Sequence, residues 1–266
     1  MTITIQQAID TIIAAVPGAA VPGTLPHDTV DTVKIGDPTQ PLTGIVTTFL
    51  ATVDVIEQAA QLGANLIITH EPIFYNHRDE TDWLADKPAY EAKRRLIEQH
   101  RLVIWRFHDL LHTLQPDPTV AGLLDELEWI ACALPEQLHL CRIPPMTLRQ
   151  LADWVKTRLR IETLRVVGDL DMVCQGIALL PGCPGRNAQI GVLAQPEVDV
   201  VITGEISEWE TSEYVRDATR LGQGKGLLVL GHAASEEPGM RGVTPWLQAR
   251  LPGIAIRFVP TGRLFH

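Results

Sequence analysis

Imidazole and carboxylate side chains recur along this 266-residue sequence at intervals suited to chelating a cation. His108 and His112 stand four apart with Asp109 between them, and His232 and Glu236 repeat the interval. On a helix, residues four apart share a face at about 5–6 Å, so both can reach one ion. Imidazole is the commonest neutral metal ligand, and a neighbouring carboxylate can accept its second N–H and fix the tautomer. His70-Glu71 and Gly204-Glu205 add further donors. Pro72 biases Glu71 towards extended geometry, in which adjacent side chains point opposite ways, so His70 and Glu71 are expected to serve different ions. A mixed imidazole and carboxylate set suits zinc, iron, manganese or nickel better than calcium. Two such ions close together would turn water into hydroxide near neutral pH, with Glu71, Asp109 or Glu205 as general base or orienting group. Each cluster taken singly also fits a plainer origin. Glu236 suits a solvated first helical turn through the helix dipole, and one histidine of a pair can be core while the other is exposed.

These groups share a location: each follows a short apolar run. The runs are Asn65–Thr69, Leu102–Phe107, Asp199–Thr203 and Gly226–Gly231. Apolar, β-branched runs bounded by polar residues read as buried strands. In α/β folds, groups just past the carboxyl ends of strands converge on one crevice. Helical periodicity lies between them. Ile5, Ala8, Ile9, Ile12 and Ile13 line one face of a helix over about 5–15, with further helices over about 53–62 and 86–99. Strands are expected near 30–35, 44–49, 138–143, 164–167 and 173–180, with Pro144-Pro145 stopping the third. Thr147 should cap a helix whose apolar face is Leu148, Leu151, Trp154, Val155 and Leu159. A Pro/Gly-rich connection runs from Pro17 to Pro26.

This alternation predicts an α/β protein of two lobes, residues 1–130 and 131–266, with mostly parallel or mixed sheets flanked by helices. The metal site is expected between the lobes, and the C-terminal segment could pack back on the first. Gln61–Glu71 and Gln195–Glu205 echo one another as helix end, turn, buried strand ending in Thr, and acid two residues on. The echo suggests that the lobes are related.

Composition narrows the function classes. Apolar residues make up 45% and charged residues 20%, as in soluble globular chains. A net charge of −10 without a Lys/Arg patch argues against nucleic-acid binding. Cys132, Cys141, Cys174 and Cys183 form no C-x-x-C pair, so reduced thiols in a cytoplasmic protein are expected. The first basic residue is Lys34 and Asp10 interrupts the leading apolar run, which disfavours a signal peptide. No run is long enough for a membrane span. Gly222–Gly226 lacks the P-loop pattern, no G-x-S-x-G elbow occurs, and the scattered tryptophans read mostly as packing.

The order of the clusters resembles the Nif-three-like dinuclear-metal family, also called the GTP cyclohydrolase I type 2 family, over nearly the whole chain. The likeness is carried by Asp28–Asp31 with Gly36, Gly63–Pro72, His108–His112, the loop Pro181–Gly185, Asp199–Glu205 and Gly231–Glu236. It implies metal ligands at His70, His112, His232 and Glu236, with Glu71 or His108 contributing, and two divalent ions per subunit. It also implies a ring-shaped homohexamer. Two positions depart from the pattern: Glu71 replaces the second His of a pair, and His112 replaces an Asp. The exchange keeps ligand charge while moving it. Glu208-Trp209 stands where the family has an aromatic or His pair, so proton transfer there is not expected. The implied chemistry is metal-dependent hydrolysis of a small molecule that the sequence does not specify. Opening a GTP ring would require hydroxide attack at purine C8, yet no triphosphate-binding loop is present. A non-enzymatic ring that binds or delivers metal to protein partners is the alternative.

Overall fold

The computed structural model describes residues 3–17 and 28–265, so residues 18–26 of the Pro/Gly-rich connection lie outside the described residues. The chain forms two compact units. One takes the chain up to Pro118 together with Met240–Gly262; the other takes Thr119–Gly239 and the end from Arg263. The boundary falls before the expected 130 because Leu123, Leu124 and Leu127 pack in the second core. Among the described residues no helix is long and apolar enough to cross a membrane.

In the first unit, β1 (Val33–Ile35), β2 (Ile45–Thr48), β3 (Leu66–Thr69), β4 (Val103–Arg106) and the strand Ile256–Phe258 form one sheet. Its order is β1, β4, β3, β2, then the C-terminal strand. All neighbours are parallel except β1, which runs against β4. β2, β3 and β4 are buried at every position, so they lack the polar alternation of a one-sided sheet. Side chains alternate between two apolar layers. Leu66 and Ile68 meet α1 (Ile5–Ala14) together with Met240, Val243 and Leu247. Ile67 faces α2 (Val53–Gln61) and α3 (Pro88–Gln99) through Val55, Ile56, Tyr90 and Ile97. The C-terminal segment thus packs on the N-terminal sheet.

The apolar side of α3 also buries a cation. Lys93 Nζ donates to the Ile73 carbonyl at 2.9 Å. Burial pulls its pKa from the ordinary 10.5 to about 8, only partly opposed by Asp79. Between those values the unfolded chain holds a proton that the folded chain has released, so stability should climb as pH rises from 8 to 10.5. The gain is on the order of 3 kcal/mol. Urea midpoints measured across that window should rise more in the wild-type protein than in Lys93→Met. Equal slopes would refute the assignment.

In the second unit, α5 (Pro118–Glu126) precedes β5 (Ala133–Leu134), β6 (Gln137–Thr147), β7 (Arg165–Val167), β8 (Val173–Leu180), β9 (Val200–Thr203) and β10 (Gly226–Val229). The strand order is β5, β6, β8, β9, β10, β7. β8, β9 and β10 are parallel and the outer strands antiparallel. β6 runs through Pro144-Pro145 instead of stopping there. Its register against β8 shifts between Arg142 and Met146, a bulge where proline's missing N–H breaks no ladder bond. Helix α6 (Leu148–Leu159) starts as expected at Thr147, with a reciprocal Thr147–Gln150 capping box. Its Trp154 is partly exposed, donating to the Leu127 carbonyl at 3.1 Å under the Arg158 guanidinium. Trp83 and Trp209 are also exposed, so packing accounts for fewer tryptophans than expected.

The two sheets share a topology. In each, three parallel strands are linked by helices and flanked by a short strand antiparallel to the third: β2, β3, β4 with β1, and β8, β9, β10 with β7. α1 and α6 both open with a Thr/Gln capping box. The echoed segments are β3 and β9, the middle parallel strand of each set.

Candidate metal-binding clusters

In the first unit, Thr69 of β3 pairs with Arg106 of β4, so the residues after both strands leave the same sheet edge together. His70 follows β3. His108 follows β4 and precedes α4 (Asp109–Thr113), whose single turn brings His112 round beside it. The ring centroids of His70, His108 and His112 lie 4.6, 5.0 and 4.9 Å apart, and the ligand atoms fall within 4.8 Å of one another. His70 is fully buried while the other two are partly exposed.

Each ring has its Nδ1 against an acceptor. His70 Nδ1 is 3.2 Å from the Phe107 carbonyl, His108 Nδ1 2.9 Å from Asp109 Oδ1, and His112 Nδ1 2.9 Å from Asp117 Oδ2. A carbonyl or carboxylate can only accept, so Nδ1 carries the proton and Nε2 the lone pair in all three. Buried Asp31 sets the turn by accepting from the backbone N–H of His108, Asp109 and Leu110 at 2.7, 2.9 and 2.7 Å. Burial raises its carboxyl pKa against the opposing pull of those bonds. For Asp109, burial also acts upward, but hydrogen bonds from His108, Thr29 and the Val30 N–H outweigh it and bring the carboxyl down to about 2. Asp109 is therefore a poor proton acceptor.

Glu71 joins the same cluster, which corrects the expectation that it faces away from His70. Its Oε1 lies 4.0 Å from His70 Nε2 and 3.5 Å from His108 Nε2. The backbone N–H groups of His70 and Glu71 both donate to the Phe49 carbonyl, at 3.1 and 2.8 Å, so the chain has already left extended geometry. The buried Arg106 guanidinium holds the corner through the His70 carbonyl at 3.0 Å, the His77 carbonyl, and Glu71 Oε2 at 3.4 Å.

The second unit carries a pair. His232 opens the helix His232–Arg250 with Nδ1 3.1 Å from Glu205 Oε1 and Nε2 3.1 Å from Glu236 Oε2. With the proton on Nδ1, the Nε2 lone pair faces a carboxylate oxygen at a distance that calls for a cation or a second proton between them. Gly182 (φ +71) borders the pair: a Cβ there would sit 2.3 Å from Glu236 Oε1 and 3.4 Å from His232 Nε2. The loop from Pro181 can pass this close only with glycine. Glu205 is positioned from behind, since Gln189 Nε2 donates to its carbonyl at 2.9 Å and is held by Thr203 and Thr211. Glu208-Trp209 lies in a π turn, Glu208–Ser212, with Glu208 paired to Arg165 at 3.0 Å and the Trp209 ring exposed.

Within the first unit the structure thus brings together His70, Glu71, His108 and His112, with Asp109 as a holder of His108. Within the second it brings together Glu205, His232 and Glu236. Sequence reasoning missed Arg106 and Asp117, and it noted Asp31 only within the family likeness. The signal for Asp117 was present as a carboxylate five residues past His112. Nothing local marks Arg106, which reads as the end of an apolar strand. The donor set suits a divalent ion of the zinc, iron, manganese or nickel type: imidazoles of one tautomer, one carboxylate among them, and a His–Glu pair with facing lone pairs.

The chain is 24% identical over 82% of its length to a GTP cyclohydrolase 1 type 2 homolog of Clostridium perfringens, covering 82% of that protein. It is 28% identical to the protein of the same name in Escherichia coli K12, over 76% of this chain and 78% of that one. A crystal structure of Staphylococcus aureus protein SA1388 superposes with a TM-score of 0.74 at 18% identity, covering 99% of both chains. The model of Duf34/NIF3 (NGG1p interacting factor 3) matches residues 30–262, a span that runs through both sheets and every residue of both clusters, and the chain belongs to that family.

Proposed function

We propose that this protein is a metal-dependent hydrolase that binds two divalent ions through the residues of its two clusters. The observation that carries the reading is that the Nδ1 atoms of His70, His108 and His112 all rest on acceptors, an arrangement that leaves Nε2 as the ring atom to meet an ion. Divalent cations of this type supply Lewis acidity and make water nucleophilic near neutral pH. His70, His108, His112, His232 and Glu236 are the ligands in this reading. Asp109, Asp117 and Glu205 hold Nδ1 protons and keep the rings aimed. Glu71, oriented by Arg106 and facing His108 Nε2, serves as a ligand or as the base that takes a proton from attacking water. The substrate is a small molecule with a hydrolysable phosphoester, amide or amidine bond. The name shared by the relatives makes GTP the first compound to assay. Family resemblance supports a homohexameric ring, and cysteines without a disulfide suit the cytoplasm.

Elemental analysis of protein purified without chelator should find divalent metal. Hydrolysis of GTP or of a phosphoester panel should vanish on chelation and return with added metal. His232→Ala should lower that turnover by about 100-fold. Tight stoichiometric metal with no turnover across the panel would reject the hydrolase in favour of a metal-carrying protein.

A further inference from the structure

We infer that Arg106 sets which ion the first cluster prefers, by occupying one carboxylate oxygen of Glu71 and leaving the other alone to meet the cation. The inference rests on the metal reading above. The two oxygens of Glu71 face different groups. Oε1 lies 3.5 Å from His108 Nε2 and 4.0 Å from His70 Nε2. Oε2 accepts from Arg106 Nη2 at 3.4 Å.

The guanidinium is placed by other contacts as well. The Arg106 side chain is fully buried, its Nε donates to the His70 carbonyl at 3.0 Å, and its Nη1 donates to the His77 carbonyl. Asp79 Oδ2 stands 3.9 Å from the same Nη1. Asp79 is fixed in turn: its Oδ1 accepts from the Phe74 N–H at 2.8 Å, and Lys34 Nζ lies 3.8 Å from its Oδ2. Two backbone carbonyls and a buried carboxylate therefore aim Nη2 at Glu71.

An imidazole at position 71 would bring one donor atom and no charge. A carboxylate brings two oxygens and a negative charge, and it can give a cation one oxygen or both. Two-oxygen contacts suit ions with six or more ligands, whereas four-coordinate zinc is served by one. A guanidinium hydrogen-bonded to Oε2 keeps that oxygen from a cation of like charge. Arg106 thus limits Glu71 to a single-oxygen contact, which favours a tetrahedral ion such as zinc over an octahedral one such as manganese.

The test uses the full-length protein with zinc or manganese, comparing wild type, Arg106→Met, Glu71→Gln and the double variant. Arg106→Met should lower the ratio of zinc to manganese affinity about tenfold, read by competition with a chromophoric chelator. In the Glu71→Gln background the same substitution should change that ratio by less than about twofold, because its route is gone. An equal change in both backgrounds, or none in a variant that circular dichroism shows folded, would overturn the role of Arg106. A second measurement leaves Arg106 in place. The infrared difference between zinc-loaded wild type and Glu71→Gln should show the widely split carboxylate stretches of single-oxygen coordination. Closely spaced stretches, or stretches that zinc does not move, would overturn the inference even if Arg106→Met does not fold, and would leave the metal site standing. Failure of the wild type to take up zinc would remove both.

Discussion

Replacing His112 with alanine is expected to lower zinc affinity by about 100-fold or more while leaving the unfolding midpoint nearly unchanged. The imidazole is partly exposed and meets the partly exposed Asp117 carboxylate at 2.9 Å, so removal costs the fold little. For the cluster the loss is large. His112 sits about 5 Å from both His70 and His108, and no other imidazole lies on α4 to replace it. Competition against a chromophoric chelator would measure the change. An affinity within threefold of wild type would show that His112 is not a ligand. His112→Asp makes a sharper comparison, because the family pattern has Asp at this place. That variant should keep a bound ion but favour manganese over zinc more than wild type does, since carboxylate oxygen is the harder donor.

Asp31→Ala should have the opposite profile, with stability falling first and metal affinity falling with it. The Asp31 carboxylate takes three backbone N–H groups at the start of α4, and the side chain is buried. An ordinary helix cap contributes about 1 kcal/mol, and each buried donor left without an acceptor costs about 1–3 kcal/mol. A loss of about 3 kcal/mol follows, read as a lower urea midpoint. The same bonds fix where His108 and His112 leave the backbone, so weaker zinc binding should accompany the instability. Asp31→Asn should recover only part of either, because its amide turns an N–H towards donors that need an acceptor. Zinc affinity and midpoint both unchanged in Asp31→Ala would refute the role.

The helices and strands were legible along the chain where local pattern decides them. β3, β4, β9 and β10 are short, fully buried and mostly apolar runs, α1 has a single apolar face, and Thr147 caps α6 as a capping signal should. Pro144-Pro145 misled because a proline's effect on a strand depends on whether its neighbour needs the missing N–H, and the bulge removes that need. Trp154 misled because indole can lie at a boundary with its N–H bonded to a carbonyl. Extended-chain geometry would put His70 and Glu71 on opposite sides, but the strand ends at Thr69, before either residue.

Side-chain identity and spacing alone determined which residues are candidate ligands, because chelation needs particular atoms and the strand-end positions follow from short apolar runs. Tertiary structure decided what each candidate does. Asp109 and Glu205 rest on Nδ1 of a histidine and so orient it, whereas Glu71 faces two Nε2 atoms. Asp31 reaches His108, and His77 meets that same ring, across stretches of chain whose separation carries no local signal. Which nitrogen of an imidazole holds the proton depends on the one acceptor that the fold places beside it, and chain order does not encode that neighbour.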